Sequence, residues 1–200
     1  MAGAGDAERA VQDRVLDATK RCCERWGIAK VTIDDIAAEA NTSRATIYRL
    51  FPGGRDVLYE ALRVRETEEF MAELTERVAG AETLEQVVVR GVVHATRMLQ
   101  ADDHIKLMLA SEPGEMVGQL TVDGLPRIFR VATVFLTPLF APHISREESA
   151  RLAEWLSRVV ISYFLAPSRY VDLADETSAT EFVRHFVLPA FEPNVLSSER

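Results

Sequence analysis

Cysteine is nearly absent from this 200-residue chain, and what there is cannot staple it. Cys22 and Cys23 are adjacent, too close to bridge each other, and with no third cysteine there is no disulfide framework. Both sit inside a helical apolar pattern, where cysteine packs as a small hydrophobe; a redox pair is the rival reading, and that placement argues against it. Histidine is scarce too. His94, His104, His143 and His185 are scattered without the two-histidine spacing of a zinc site, so neither a metal nor a cofactor is expected. Gly53 and Gly54 are a lone pair that reads as a helix break, not a loop for cradling phosphate. No apolar run approaches the length needed to cross a bilayer, and residues 1–6 lack the apolar part of a signal peptide. A cytoplasmic protein without a membrane partner is the expectation. No set of nucleophile, base and oxyanion donors stands out, so an enzyme is not expected.

Positive charge is also in deficit. The formal net charge is −8, which at first argues against a nucleic-acid partner. Its distribution matters more than its sum. Between Ala40 and Arg55 there is no acidic residue, while Arg44, Arg49 and Arg55 are present. Residues Ala61–Arg200 hold 14 Lys and Arg against 21 Asp and Glu. An acidic body repels phosphate and leaves one short neutral-to-basic surface for it.

What is abundant is helical periodicity. Val11, Val15, Ala18, Cys22 and Trp26 form one stripe, stopped by Gly27. Thr32 with Asp35 predicts a capping box before Ile33, Ile36, Ala37 and Ala40. Asn41 suits a tight left-handed turn, and Ser43 caps a helix carrying Ile47, Leu50 and Phe51 inward. Pro52, Gly53 and Gly54 break it, and a long helix begins near Arg55. Three short helices with a tight turn between the second and third make a helix-turn-helix head.

Further on, Thr83 with Gln86 opens a helix through Leu99, and Asp102 opens a short one with Ile105, Met108 and Leu109. Residues 113–124 read as a loop or broken helix. Pro126 starts a helix that Pro138 and Pro142 end. Ser145 with Glu148 is a capping box before the stripe from Leu152 to Phe164, which Pro167 ends. Ser178 with Glu181 opens a last helix stopped around Pro189. The fold class is therefore all-α: a head over 7–55 and a second helical domain over 56–200.

The run from Val31 to Phe51, VTIDDIAAEANTSRATIYRLF, resembles the head of the tetracycline-repressor (TetR) family of bacterial regulators. Arg14-Val-Leu-Asp-Ala-Thr upstream and Arg55-Asp-Val-Leu-Tyr downstream extend the match over the first quarter to third of the chain. The resemblance implies a homodimeric repressor that reads a palindromic double-stranded DNA operator and lets go on binding a small-molecule effector in the C-terminal domain. Three departures stand out. Cys22-Cys23 replaces a bulky Leu-Phe pair, Asn41-Thr42 replaces a turn with Gly and an apolar residue, and the Phe51–Arg55 link is one residue longer.

With Ile47, Leu50 and Phe51 inward, Arg44, Ala45, Thr46, Tyr48 and Arg49 are left outside. Arginine pairs bidentately with guanine, and Thr or an Ala methyl reads thymine or a base edge. Tyr48 suits phosphate; Thr32 and Ser43 stand at helix N-termini that favour phosphate oxygens, and Thr42 and Arg55 complete the DNA-facing set. Read one at a time, such arginines are a solvated face and such hydroxyls are caps. The motif around them favours DNA.

In the second domain, Val92, Met98, Met108, Phe129 and Phe135 could line a mostly apolar ligand pocket, with His94 and Tyr163 orienting the guest. The competing reading is ordinary core. The stripe Leu152–Phe164 is too wide for one neighbour, which predicts a two-fold mate and paired heads roughly 34–36 Å apart. Two rival functions are a regulator without a ligand and a small-molecule-binding helical bundle with an incidental head.

Overall fold

The computed structural model describes residues 3–102 and 124–191, and every regular element among them is helical. In chain order these are α1 (Gly3–Trp26), α2 (Ile33–Glu39), α3 (Arg44–Leu50), α4 (Arg55–Val78), α5 (Leu84–Ala101), α6 (Gly124–Phe140), α7 (Arg146–Leu165), α8 (Glu176–Phe182), a π-helical turn (Val183–Val187) and α9 (Leu188–Phe191). The all-α expectation holds. The helix expected with Ile105, Met108 and Leu109, and most of the stretch before Gly124, lie outside the described residues. Asp102 itself closes α5, its N–H donating to the Met98 carbonyl at 3.1 Å. No described helix is long and apolar enough to cross a membrane.

The chain divides into two compact units, Met1–Glu69 and Phe70–Arg200. Position 55, where the sequence breaks, is the start of α4, and the division falls within that helix. Leu58, Tyr59 and Leu62 on its first turns belong to the first unit's core, while Met71, Leu74 and Val78 belong to the second's.

The first unit is built on the stripe read from sequence. Val15, Ala18, Cys22, Ile36, Ile47 and Leu58 are fully buried. Glu39 on α2 accepts from Arg21 at 2.7 Å and pairs with Arg25 at 3.5 Å, both on α1. These two cations hold the Glu39 carboxyl below its usual range. Trp26 does not join the core. Gly27, at φ 80°, turns the chain away there, and the indole stays exposed with the Arg25 guanidinium 5.1 Å from its ring centroid.

The second unit packs around α5, whose Val87, Val88, Val89, Val92 and Val93 are buried together with Leu152, Leu156, Val183 and Val187. Ser145 and Glu148 form the expected capping box, with the serine Oγ accepting the Glu148 N–H at 3.2 Å. Several boundaries differ from expectation. Pro138 does not end α6, which runs on to Phe140, because a proline in the last turn removes only one ladder bond. The last helical stretch opens at Asp175, whose carboxylate takes the Ser178 N–H at 2.9 Å and leaves Ser178 inside the first turn. Nor does Pro189 stop it: the chain stays helical to Phe191. The π-helical turn ends at Val187, and Leu188, just before Pro189, donates its N–H to the Val183 carbonyl, the wider bond of that turn.

Candidate nucleic-acid interface

The site is assembled by two short helices and the caps that start them. At the head of α2 the Thr32 Oγ1 accepts the Asp35 N–H at 3.2 Å. The Asp35 carboxylate in turn takes the Thr32 N–H at 2.9 Å and the hydroxyl at 2.6 Å. Those donors, the threonine hydroxyl foremost, hold the Asp35 carboxyl below its ordinary range. α2 ends in the expected left-handed residue, Asn41, at φ 49°. A short polar side chain tolerates that conformation, and it lets the Thr42 N–H return to the Ala37 carbonyl at 2.9 Å. Ser43 then caps α3, its Oγ accepting the Thr46 N–H at 3.1 Å.

α3 shows its two faces clearly. Ile47 is fully buried, Phe51 just after the helix is buried, and Leu50 is half-buried against the same core. Arg44, Ala45, Tyr48 and Arg49 are exposed, and Thr46 is half-buried with its Oγ1 2.9 Å from the Ser43 Oγ. Thr32 and Ser43 are exposed and Thr42 is half-buried. The outer face of α3 thus presents two guanidiniums, one phenol and one methyl from a single rigid element. That is the chemistry needed to meet base edges and phosphates.

Arg55 is turned another way. Its guanidinium donates to the Ile28 carbonyl and lies 5.1 Å from the centroid of the Tyr59 ring. It is half-buried and ties the start of α4 to the turn after α1. The Phe51–Arg55 link, with Gly53 at φ 118° and Gly54 at φ 70°, accompanies this placement. Tyr59 also reaches the Ile28 carbonyl, at 3.4 Å, and burial pushes its hydroxyl up to about 12. Beside it, burial pushes the Cys23 thiol up to about 11. Both cysteines are buried and free, as the apolar stripe implied.

Sequence reading missed two residues here. Glu8 on α1 pairs with Arg49 at 2.7 Å, and Asp34 on α2 pairs with Arg44 at 3.2 Å. Nothing in the local pattern signals a contact such as Glu8–Arg49, which joins residues 41 apart.

The residues proposed to line a ligand pocket do not form one cluster. Val92 is buried in the second unit's core, and Tyr163 packs against that core with an edge-on contact to Phe182 at 5.7 Å. His94 is half-buried, with its Nε2 3.1 Å from the Glu73 Oε1. Phe129 is buried beneath the Arg158 guanidinium, 4.2 Å from the ring centroid, and stands outside that core cluster. Met98 is half-buried and Phe135 is exposed. Met108 lies outside the described residues. Among those residues no group of three or more His, Cys, Asp or Glu side chains could hold a metal ion.

Comparison with known proteins agrees with this geometry. Residues 15–62 match the family model for bacterial regulatory proteins of the tetR family. Over 186 residues the chain is 29% identical to the HTH-type transcriptional regulator Rv1255c of Mycobacterium tuberculosis, spanning 90% of this chain and 85% of that one. The TetR-family repressor AlkX from a Dietzia strain, implicated in biodegradation of n-alkanes, shares the fold with a TM-score of 0.64. It is 23% identical, over 86% of this chain and 92% of the other. The transcriptional regulator FadR from Bacillus subtilis, in complex with stearoyl-CoA, superposes with a TM-score of 0.52 at 14% identity, covering 85% and 96% of the two chains. Residues 15–62 thus carry a helix-turn-helix head of the tetR-family type, and over most of its length the chain is similar to HTH-type transcriptional regulators.

Proposed function

We propose that this regulator is a homodimeric repressor that reads a palindromic operator with the outer face of α3 and releases it on binding a mostly apolar small molecule. The observation that carries the reading is the division of α3. Ile47 is fully buried, while Arg44, Ala45, Tyr48 and Arg49 stand in solvent on an element too short and too polar outside to be there for packing. Arg44 and Arg49 read guanine edges or grip phosphate, Ala45 and Thr46 approach thymine methyls, and Tyr48 reaches a phosphate. Thr32, Thr42 and Ser43 bring backbone amides to the phosphodiester chain. Arg55 acts from behind, holding α4 against the head.

Dimerisation is supported by the second unit. α6 leaves Ile128, Val134 and Phe135 exposed, and α7 leaves Trp155 and Leu165 exposed, on two helices already packed on each other. A two-fold mate covers such surface. The effector reading rests on regulators that share the fold, since Val92, Met98, Phe129 and Tyr163 do not enclose one cavity. AlkX and FadR, which share the fold, are linked in their own descriptions to n-alkanes and to stearoyl-CoA. An effector of long hydrocarbon character is therefore the class to try first. It must bind the DNA-free conformation more tightly, because equal affinity for both conformations shifts nothing.

The test begins with a duplex selected by the protein from a random-sequence library. Arg44→Ala and Arg49→Ala should each weaken binding to it roughly five- to hundred-fold, as for loss of a base contact, and stearoyl-CoA should release the wild type. Full affinity in both arginine variants, with folding intact, would remove α3 as the reading element. Undiminished binding in the presence of stearoyl-CoA and stearate would remove the long-chain effector.

A further inference from the structure

The two guanidiniums that α3 offers to DNA are already occupied. Arg49 Nη1 lies 2.7 Å from Glu8 Oε1 on α1, and Arg44 Nη1 lies 3.2 Å from Asp34 Oδ1 on α2. All four side chains are more than half exposed: 58% and 65% for Arg44 and Asp34, 64% and 52% for Arg49 and Glu8. This separates them from the unit's other ion pairs. Glu39 is 24% exposed and receives two arginines from α1, and Arg65 is 19% exposed where it meets Asp17. Those pairs tie helices together. An exposed pair, open to water and salt, adds little to stability.

A carboxylate and a phosphodiester make the same demand on a guanidinium, since both are anions that accept its N–H groups. An arginine cannot give its best donor geometry to Glu8 and to DNA at once. When DNA arrives, each arginine must leave its carboxylate, and that carboxylate then stands beside a polyanion with its charge uncompensated. Both effects oppose binding.

We infer that Glu8 and Asp34 are internal competitors for DNA, each holding one recognition arginine in a contact that the nucleic acid must displace. They restrain affinity without supporting the fold, and their action is local, through one named arginine each. The competition also fits the chain's formal net charge of −8, which opposes phosphate in general. This inference rests on the DNA-reading role proposed for α3.

The experiment uses the full chain, a duplex it selects from a random library, and sonicated calf thymus DNA as a nonspecific probe. Glu8→Gln and Asp34→Asn keep side-chain shape and remove the charge. Each should bind the selected duplex about two- to five-fold more tightly than wild type, the size expected for loss of one exposed pair. The gain should shrink as salt rises. Double-mutant cycles then separate local competition from general repulsion. In an Arg49→Ala background Glu8→Gln should change affinity little, and in an Arg44→Ala background Asp34→Asn should do the same. A gain that persists in those backgrounds makes the acids mere long-range repulsive charges and overturns the pairing. Unchanged or weaker binding by the single variants overturns it too, since the carboxylates would then be inert or would position the arginines for DNA. Failure of the wild type to bind any duplex, selected or nonspecific, would instead remove the DNA-reading role on which the inference stands.

Discussion

The ring of Tyr48 lies against the backbone of Gly54: a Cβ built on that glycine would stand 3.0 Å from Tyr48 Cε1. Gly54 also holds φ 70°, a conformation that L side chains rarely adopt. The exposed tyrosine of α3 is thus seated by the link that starts α4. Gly54→Ala should destabilise the protein by about 1–2 kcal/mol from the backbone alone. It should also push Tyr48 off its seat and weaken DNA binding beyond the loss of stability. Chemical denaturation and a mobility shift on the same variant check both halves, and a variant as stable as wild type would contradict the geometry.

The start of α2 should be acid-sensitive. Asp35 has a folded-state value held below its ordinary one by the Thr32 hydroxyl and amide. A depressed carboxyl contributes stability that is present above its unfolded value and lost as pH falls through the folded one. The stability difference between wild type and Asp35→Asn should therefore be full at neutral pH and shrink on acidification below the usual carboxylate range. Thr32→Ala should cost about 1 kcal/mol at neutral pH, the usual effect of losing an N-cap. Urea melts at neutral and acid pH measure both, and a pH-independent difference for Asp35→Asn would rule out the depressed carboxyl.

Cys22 and Cys23 should be silent in the native protein. Both are buried, and burial pushes the Cys23 thiol up to about 11, so the reactive thiolate is scarce at neutral pH. Alkylation by iodoacetamide at pH 8 should follow the rate of unfolding and become complete only in denaturant. Rapid labelling of folded protein, read by mass spectrometry, would show a redox-accessible pair.

The proposed dimer makes a prediction about one exposed aliphatic side chain. Val134 on α6 is 67% exposed, high for a valine. Val134→Arg costs the monomer little, because nothing buried is disturbed. If α6 lies in the two-fold contact, the substitution should shift sedimentation at micromolar concentration from dimer to monomer and weaken operator binding with it. A variant that sediments like wild type would move the contact away from α6.

Much of this molecule was legible in its order of residues, and for one reason: caps, turns and stripes are local chemistry. Thr32 with Asp35, Ser145 with Glu148 and the left-handed Asn41 each act over a span of a few residues. The burial of Ile47 and exposure of Arg44 and Arg49 follow from helical spacing around one element. Local chemistry was misleading where two residues competed for the same task. Asp175 and Ser178 could both open the last helix, and only the folded chain shows that Asp175 does. Tertiary structure alone decided the partners of the long side chains. Arg55 could have faced DNA but bonds the Ile28 carbonyl, His94 meets Glu73, and Arg49 meets Glu8 from 41 residues away. A flexible charged side chain reaches whichever acceptor the packed backbones bring near, and which backbones come near is set by burial of apolar faces far from the charge.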